Sequence, residues 1–428
     1  MQTLRHTLKY IVIFFLAVTL LTALLVLCAI IPQSSIRDNT LESAVYLCEG
    51  ELFGTVLDGV EGSRIDRYAD SIQLGIAWQY DSANPLQSVM LSSYYHSNKQ
   101  NENENLLEAV MKDKQPNQQY LRYWHGSNIL VRPLLVVCSI KQIYMINGVI
   151  MSMLAVWLLI MLYKRKYYIP VFGIGFGMVL TSFWYVPLSL EYTWTCLLML
   201  AGSILAVKLA SEEKWKHLGM FFLLSGILTN YLDFLTTETL TLLVPLLLVL
   251  WIDFHTRRQD VQSMAINAGK AASLWTIGYV GMWVMKWVLA SIVLGENVMS
   301  NVTGHIQQRV GNGGFKTMMS AVLRNLKCLF PLEYGEIGMF MAGGIVLALL
   351  YIGYVYHKNQ INKSWILLLF IIGIVPYVRY LVLSNHSYLH HFFTYRAQMT
   401  SVVALVMIID ELVERRWLTH EIGRKAKR

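Results

Sequence analysis

Two carboxylates four residues apart mark the segment best suited to acid–base chemistry, Ile65–Asp81. Asp66 and Asp70 share one face of the helix predicted here, because residues four apart are neighbours on a helix. Paired in this way, they could hold a divalent cation, or differ in pKa so that one acts as a general base. The plain alternative is that both acids interact with the N-terminal helix dipole.

A basic and aromatic cluster precedes the second apolar segment. Its candidate ligand-binding residues are Arg122, Tyr123, Trp124, His125 and Arg132. Guanidinium groups bind phosphate through paired hydrogen bonds, and the faces of Tyr and Trp suit a sugar ring. Aromatic side chains at a membrane surface also form belts without chemistry, but a belt needs neither the histidine nor the arginines.

Asp233 stands in a third cluster, Thr229–Glu238, between two apolar segments. The sharper interpretation turns its carboxylate toward the first cluster as a ligand-binding group. The alternative is a helical hairpin whose turn is capped by Thr and Asp side chains.

The fourth cluster, Asn385–Gln398, contributes the candidate ligand-binding residues His386, His390, Tyr395 and Arg396. The spacing of the two histidines would suit a metal on a helix, but the run contains no cysteine or carboxylate. A pocket for phosphate or sugar hydroxyls is favoured, with Arg396 as the phosphate clamp. Lys286 and Arg379 are either further pocket residues or side chains that snorkel to the interface.

The composition of the whole chain indicates that membrane-embedded helices position these clusters. Of 428 residues, 55% are hydrophobic and 14% are charged, and the mean hydropathy is +0.45. Soluble chains carry about 25% charged residues. A cytosolic enzyme, a nucleic-acid-binding domain and a disordered protein are thereby excluded, and an all-α polytopic membrane protein is predicted.

Ten apolar segments approach the length of about 20 residues that a membrane helix needs. They fall at 10–31, 143–163, 169–187, 193–210, 218–233, 237–252, 271–295, 337–356, 364–384 and 397–413. Nineteen Lys and Arg residues lie in the loops on the N-terminal side, against one, Arg396, in the three short loops opposite. Because positive residues stay inside, both termini are predicted to be cytoplasmic, in a multi-pass protein of the cell membrane.

These segments divide the chain into six parts. They are the N-terminus and first span (1–31), a long extracytoplasmic loop domain containing helices (32–142), spans two to seven (143–295), a second extracytoplasmic loop (296–336), spans eight to ten (337–413) and a basic cytoplasmic tail (414–428). Helical spacing around 316–330 predicts a helix that either lies in the interface or packs on the bundle. Cys48 and Cys138 fall on one side of the membrane and could pair.

No nucleotide-binding or hydrolase motif such as a Walker loop, GxGxxG, GxSxG or HExxH occurs in the sequence. A chemical step would therefore need an activated donor that reaches the outer leaflet.

These features together resemble the polytopic C-type (GT-C-like) glycosyltransferases, in which one helix leads into an extracytoplasmic loop bearing an acidic motif. The strings RYWHG (122–126), YLDFLT (231–236) and NHSYLHHFFTYR (385–396) are also similar to those of largely uncharacterised bacterial cell-envelope proteins. The resemblance implies a polyprenyl-phosphate sugar donor, with Asp66 as the best match for the catalytic acid and Asp70 second. The transferases often carry adjacent acids at this place, whereas those here are separated.

The sequence thus predicts sugar transfer to an envelope glycan or lipid acceptor at the extracytoplasmic face, with a divalent cation as an option and no nucleic-acid partner. The alternative is a non-enzymatic transporter, flippase or assembly partner of envelope polysaccharide synthesis. The enzyme hypothesis carries a geometric expectation: Asp66, Arg132, Asp233 and Arg396 should line one cavity.

Overall fold

The fold is built from helices alone. The computed structural model describes residues 2–298 and 314–414. It is 77% helical, and within those two ranges it contains no strand, only isolated bridges. Seven helices are long and apolar enough to cross a membrane. The chain is therefore an all-α membrane protein, as its composition predicted.

Eighteen α-helices of the described ranges are numbered here in chain order. They are α1 (Gln2–Ala29), α2 (Gln33–Cys48), α3 (Arg67–Gln79), α4 (Pro85–Leu91), α5 (Glu102–Lys112), α6 (Asn128–Leu134), α7 (Ile140–Lys164), α8 (Tyr168–Leu180), α9 (Leu190–Ser211), α10 (Leu218–Leu232), α11 (Leu240–Thr256), α12 (Val261–Leu294), α13 (Gly314–Lys327), α14 (Gly335–Val355), α15 (Lys363–Val382), α16 (Ser384–Leu389), α17 (His391–Thr394) and α18 (Met399–Leu412).

Residues 32–139, with helices α2 to α6, form a compact layer over one end of the long helices. We call this segment the loop layer and the end that it covers the loop face. Its buried side chains, such as Leu74 and Trp78 of α3, belong to the same hydrophobic cluster as Leu25 of α1 and Leu223 of α10. The loop layer therefore shares a core with the helices and is held by burial of apolar surface.

Polar side chains fasten the loop layer to α12. The fully buried Lys286 donates to the carbonyl oxygens of Val89 (2.9 Å) and Met90 (3.0 Å). Trp124 donates from its indole nitrogen to the carbonyl of Met282 at 2.8 Å. Lys286 is thus neither a pocket residue nor a snorkelling side chain, because its ammonium group satisfies backbone carbonyls of the layer.

A second hydrophobic cluster fills the centre of the bundle, between α7, α9, α11 and α18. Helix α11 lies at its middle, since every residue from Leu240 to Asp253 is buried. A helix that is apolar on all sides is surrounded either by other helices or by lipid, and α11 is surrounded by other helices.

Helix α13 occupies the region where helical spacing predicted one. Its buried positions are Ala321 and Asn325, and Asn325 donates to the carbonyl of Ser387 in α16 at 2.9 Å. Met318 and Met319 on the same helix are exposed. The helix therefore packs on α16 along a narrow face and leaves an apolar face uncovered by the described residues.

Helix α14 differs from the other long helices in how little of it is covered. Gly338 is its one buried residue in the described structure, and its main contact there is with the short turn Leu332–Tyr334. At its far end, Lys358 donates from its backbone nitrogen to the carbonyl of Leu412 at 2.9 Å. The helix is held at both ends and is bare between them.

Two further expectations concern a possible disulfide bond and the two segments outside the described residues. Cys48 and Cys138 are both free thiols, so the pairing considered from the sequence is not made. The basic tail from residue 415 to 428 and residues 299–313 of the second long loop lie outside the described residues.

Candidate functional site

A cavity of about 280 Å³ opens at the loop face, between the loop layer and the ends of the long helices. All four polar clusters contribute to its walls. Its lining residues are Phe53, Asp66, Tyr68, Ala69, Ile72, Gln73, Tyr120, Arg122, His125, Glu191, Phe234, His386, His390 and Phe393. The four clusters therefore converge on one cavity. Of the four residues expected to line it, only Asp66 does so, and the other three clusters contribute different side chains.

Asp66 is the acid of the first cluster that lines this cavity. It is the N-cap of α3, and one carboxylate oxygen accepts a hydrogen bond from the backbone nitrogen of Ala69 at 2.8 Å. The side chain is 2% exposed, and burial raises the pKa of Asp66 to about 6. The carboxylate can therefore exchange a proton near neutral pH, as a general base must.

Glu191 contacts Asp66 across the cavity floor. It lies in the first turn of α9, and its carboxyl group is hydrogen-bonded to that of Asp66. Two carboxyl groups in hydrogen-bond contact cannot both be ionised without strong repulsion, so the pair shares a proton. Sequence reasoning missed Glu191, although it is the one acid in the short predicted loop 188–192 ahead of an apolar run.

Asp70 lies behind this pair and does not line the cavity. Its fully buried carboxylate accepts hydrogen bonds from the hydroxyl groups of Tyr144 and Ser189 and from the backbone nitrogen of Leu190 (3.0 Å). Burial raises the pKa of Asp70 to about 7. Asp70 thus anchors the start of α9, which places the adjacent Glu191 opposite Asp66.

A cation shared by Asp66 and Asp70 finds no support in these contacts, because the oxygens of Asp70 are already engaged elsewhere. Within residues 2–298 and 314–414, no three His, Cys, Asp or Glu side chains are grouped closely enough to hold a metal ion.

Arg122 brings positive charge to the cavity wall. Its guanidinium group lies over the ring of Tyr120, 4.5 Å from the ring centroid. The described residues place no carboxylate within ion-pair distance of it, and its buried Nε has no hydrogen-bond partner among them. A guanidinium that lies over a ring and has an unpartnered Nε is ready to bind an anionic oxygen.

His125 stands next to Arg122 as a neutral imidazole. Burial lowers the pKa of His125 well below its ordinary value. Its Nε2 lies 3.3 Å from the carbonyl oxygen of Tyr120, which only accepts, so Nε2 carries the proton. The buried Nδ1 is left as an acceptor without a partner among the described residues, and it could accept a hydrogen bond from a hydroxyl group.

The remaining members of the second cluster support the loop layer and do not line the cavity. Tyr123 stacks on Trp283, and Trp124 bonds to α12 as described above. Arg132 is fully buried and donates to the carbonyl oxygens of Ala77, Ile31 and Tyr80. Its guanidinium joins three chain segments, so the expectation that Arg132 lines the cavity is corrected.

In the third cluster, the contacts of Asp233 match the plain alternative, a capped turn. Its carboxylate accepts from the backbone nitrogen of Leu235 (2.8 Å) and from the hydroxyl group of Thr236 (2.5 Å). This closes the turn between α10 and α11 and directs Phe234 to the cavity. Asp233 itself does not line the cavity, which corrects the second expected position.

Arg379 holds the same turn from α15. Its guanidinium group pairs with Glu238 at 2.5 Å and donates to the carbonyl oxygens of Leu235 (2.9 Å) and Thr236 (3.1 Å). Arg379 therefore belongs to a buried ion pair that fixes the turn, and neither alternative considered from the sequence describes it.

In the fourth cluster, His386 and His390 line the cavity, whereas Tyr395 and Arg396 do not. The rings of His386 and His390 are 4.7 Å apart, and His386 Nε2 lies 2.9 Å from the carbonyl oxygen of Leu235. Tyr395 donates to the carbonyl of Thr181, and Arg396 donates to that of Gly62 at 2.9 Å. Arg396 is 2% exposed, so its expected place in the cavity wall is also corrected.

Aromatic rings form the apolar part of the wall. Phe53 stacks on Tyr68 with ring centroids 5.7 Å apart, and Phe393 stacks on His390 at 5.2 Å. Flat apolar faces beside a carboxyl pair, a guanidinium and imidazoles suit a ligand that has both ring C–H surface and hydroxyl or phosphate oxygens.

No family model, no curated protein and no solved structure matches the chain.

Proposed function

We propose that the chain is a membrane glycosyltransferase that moves a sugar from a polyprenyl-phosphate donor to an envelope glycan or lipid acceptor. The observation that carries the proposal is the carboxyl pair of Asp66 and Glu191, in one cavity with the unpaired guanidinium of Arg122. An acid–base group and a phosphate-binding group within one aromatic-walled cavity are what this transfer needs.

In the proposed reaction, the acceptor hydroxyl attacks the anomeric carbon of the donor sugar. The new bond joins the acceptor oxygen to that carbon, and the bond from the carbon to the phosphate oxygen breaks. Asp66 takes the proton of the hydroxyl, and polyprenyl phosphate leaves with the bonding electron pair. Arg122 stabilises the charge that develops on the phosphate.

The other side chains of the wall have supporting roles in this proposal. Nδ1 of His125 accepts a hydrogen bond from a sugar hydroxyl, and Tyr68 and Phe234 pack on the sugar ring. Glu191 holds the shared proton and so keeps Asp66 available as the ionised partner. Inversion at the anomeric carbon is implied only by the likeness to C-type transferases.

The donor lipid has a lateral route in this proposal. A second cavity, of about 500 Å³, lies between α13 and the start of α14 and is lined by apolar residues such as Leu323 and Met339, together with Arg324 and His391. His391 directly follows His390 of the first cavity. Helix α13 would thus border the path of the polyprenyl chain.

We also propose ten membrane crossings, with both termini cytoplasmic and the loop face outside the cell. Seven helices meet the length of a full span, and α8, α10 and α11 are shorter apolar helices of 13, 15 and 17 residues. The surplus of Lys and Arg in the loops opposite the loop layer supports this orientation.

Sugar transfer by the purified protein from a panel of polyprenyl-phosphate sugars tests the function. Asp66→Asn should lower the transfer rate by about 10²- to 10⁴-fold, because the amide cannot take the proton. The fold should be kept, because Asn is as good an N-cap as Asp. The unfolding midpoint of the variant in detergent checks the second point.

Asp81→Asn is the matched control, since Asp81 is an exposed acid of the same loop layer and loses the same charge. Full activity of a folded Asp66→Asn protein would remove Asp66 as the base. Absence of transfer from every donor would favour the transporter or assembly partner.

A further inference from the structure

A separate cavity of about 380 Å³ lies at the end of the bundle opposite the loop face. It is formed by the start of α10, the end of α11, the first half of α12 and Tyr10 of α1. Helix α10 has 15 residues and reaches from this cavity to the turn at Asp233, a rise of about 22 Å. This cavity and the cavity at the loop face that contains Asp66 are therefore distinct sites.

The wall of the cavity opposite the loop face carries an excess of positive charge. Lys216, Arg257 and Lys270 line it, against one acid, Asp253. Arg257 is 3.7 Å from Asp253 and also lies over the ring of Trp215, 4.5 Å from the ring centroid. Within the described residues the two lysines have no ion-pair partner, so the cavity is suited to an anion.

Polar atoms around the cavity are left without partners in the described structure. The indole nitrogen of Trp215 is a buried donor and Oε1 of Gln259 is a buried acceptor, and neither has a hydrogen bond. Oδ1 of Asp253 has only its 3.7 Å ion-pair contact with Arg257. The unpartnered indole N–H of Trp215 suits a phosphate oxygen, and the unpartnered Oε1 of Gln259 suits a hydroxyl group.

The rest of the wall is apolar. Phe222, Leu246, Val249 and Leu274 line it below the charged rim. A small soluble anion would leave this surface in contact with water, whereas an acyl chain would cover it. Charged donors above apolar helix faces, at the surface of a bundle, are the arrangement that binds anionic lipid head groups.

We infer that this cavity binds one anionic phospholipid whose head group carries hydroxyls, as in phosphatidylglycerol. Lys216 and Lys270 hold the phosphate, Gln259 and Asp253 accept hydrogen bonds from the head-group hydroxyls, and the apolar wall covers the first part of an acyl chain. The inference is independent of the proposed glycosyl transfer, because the two sites share no residue.

The test uses the full-length protein in detergent, titrated with short-chain phosphatidylglycerol, with phosphatidylcholine of the same chains and with inorganic phosphate. Thermal unfolding reports binding, because a ligand of the folded state raises the unfolding midpoint. Phosphatidylglycerol should raise the midpoint at the lowest concentration of the three. Lys216→Gln and Lys270→Gln should each weaken its binding about fivefold.

Lys214→Gln is the matched control, since Lys214 lies two residues from Lys216 but pairs with Glu212 at 2.6 Å outside the cavity. Unchanged binding in this variant supports the assignment. Equal midpoints with phosphatidylglycerol and phosphatidylcholine would overturn it. Phosphate that binds as tightly as phosphatidylglycerol would assign the site to a soluble anion and would also overturn the lipid inference.

Discussion

Asp66 combines a local structural role with its proposed chemical one. Its folded-state pKa of about 6 lies above the ordinary 3.8, so the folded protein binds the proton more tightly than the unfolded chain does. Its contribution to stability is therefore fully present below pH about 4 and is lost as the pH rises to about 6. The proposed base works on the other side of this range, where the carboxylate is ionised.

Glu191 should control the pH at which the base ionises. The rate of transfer should rise with pH through about 6, and Glu191→Gln should keep activity because an amide also donates to Asp66. In Glu191→Leu the donated hydrogen bond is lost, which raises the pKa of Asp66 and moves the rise to higher pH. Profiles of kcat/KM against pH measure both effects.

Glu51→Gln, at an exposed acid of the loop layer, is the control for charge alone. An unshifted profile in a folded Glu191→Leu protein would contradict the shared-proton arrangement.

Arg122 is proposed to act on the donor phosphate. Arg122→Gln removes a charged hydrogen bond of about 1.5–3 kcal/mol, so the KM for the lipid-linked donor should rise roughly 10- to 100-fold. The exposed Arg37 gives the control variant Arg37→Gln, which should leave KM unchanged. A donor KM that is the same in Arg122→Gln and the parent protein would remove the phosphate role.

Among the helices, α15 fixes the turn that forms one side of the cavity. Arg379→Met should lower the free energy of unfolding by about 3–5 kcal/mol, because Glu238 is then left as a buried charge without its partner. Adding Glu238→Leu should recover part of the loss. Thermal unfolding in detergent compares the variants.

Lys363→Met, at an exposed position of the same helix, controls for the loss of charge. A single variant at Arg379 as stable as this control would show that the pair does not hold the turn.

The sequence predicted the helices better than it predicted the side chains of the site. Long apolar segments predict membrane helices because each must satisfy its own backbone in lipid, and the helix that begins after Asp66 was also predicted correctly. Arg132 and Arg396 could not be assigned in this way. A guanidinium that binds a ligand and one that binds backbone carbonyls of distant segments have the same local sequence signature.

Glu191 shows the opposite difficulty. Its importance depends on the approach of Asp66, which is 125 positions away in the chain, and on Asp70 anchoring the start of α9. Spacing within a segment carries no information on such a contact, whereas the convergence of whole clusters at one end of the bundle followed from the order of the spans.

For the whole molecule, the direction of the chain across the membrane is the main testable property. A cysteine placed at the exposed Lys99 of the loop layer should react with an impermeant maleimide in intact cells. One placed at Lys214 should react only after permeabilisation. Labelling of the parent protein gives the background from its native thiols. Labelling at position 214 in intact cells, and at position 99 only after permeabilisation, would contradict the proposed topology.

Helix α14 makes the surrounding lipid part of the architecture. Because the described residues touch it mainly at its two ends, the long stretch between has no protein neighbour there to limit sideways displacement. Lipid acyl chains must therefore pack against the middle of α14. In α11, by contrast, neighbouring helices provide this lateral packing. Extraction into a micelle replaces the lipid packing around α14 with a looser one, so α14 is the spanning element whose tilt depends most on how the protein is solubilised.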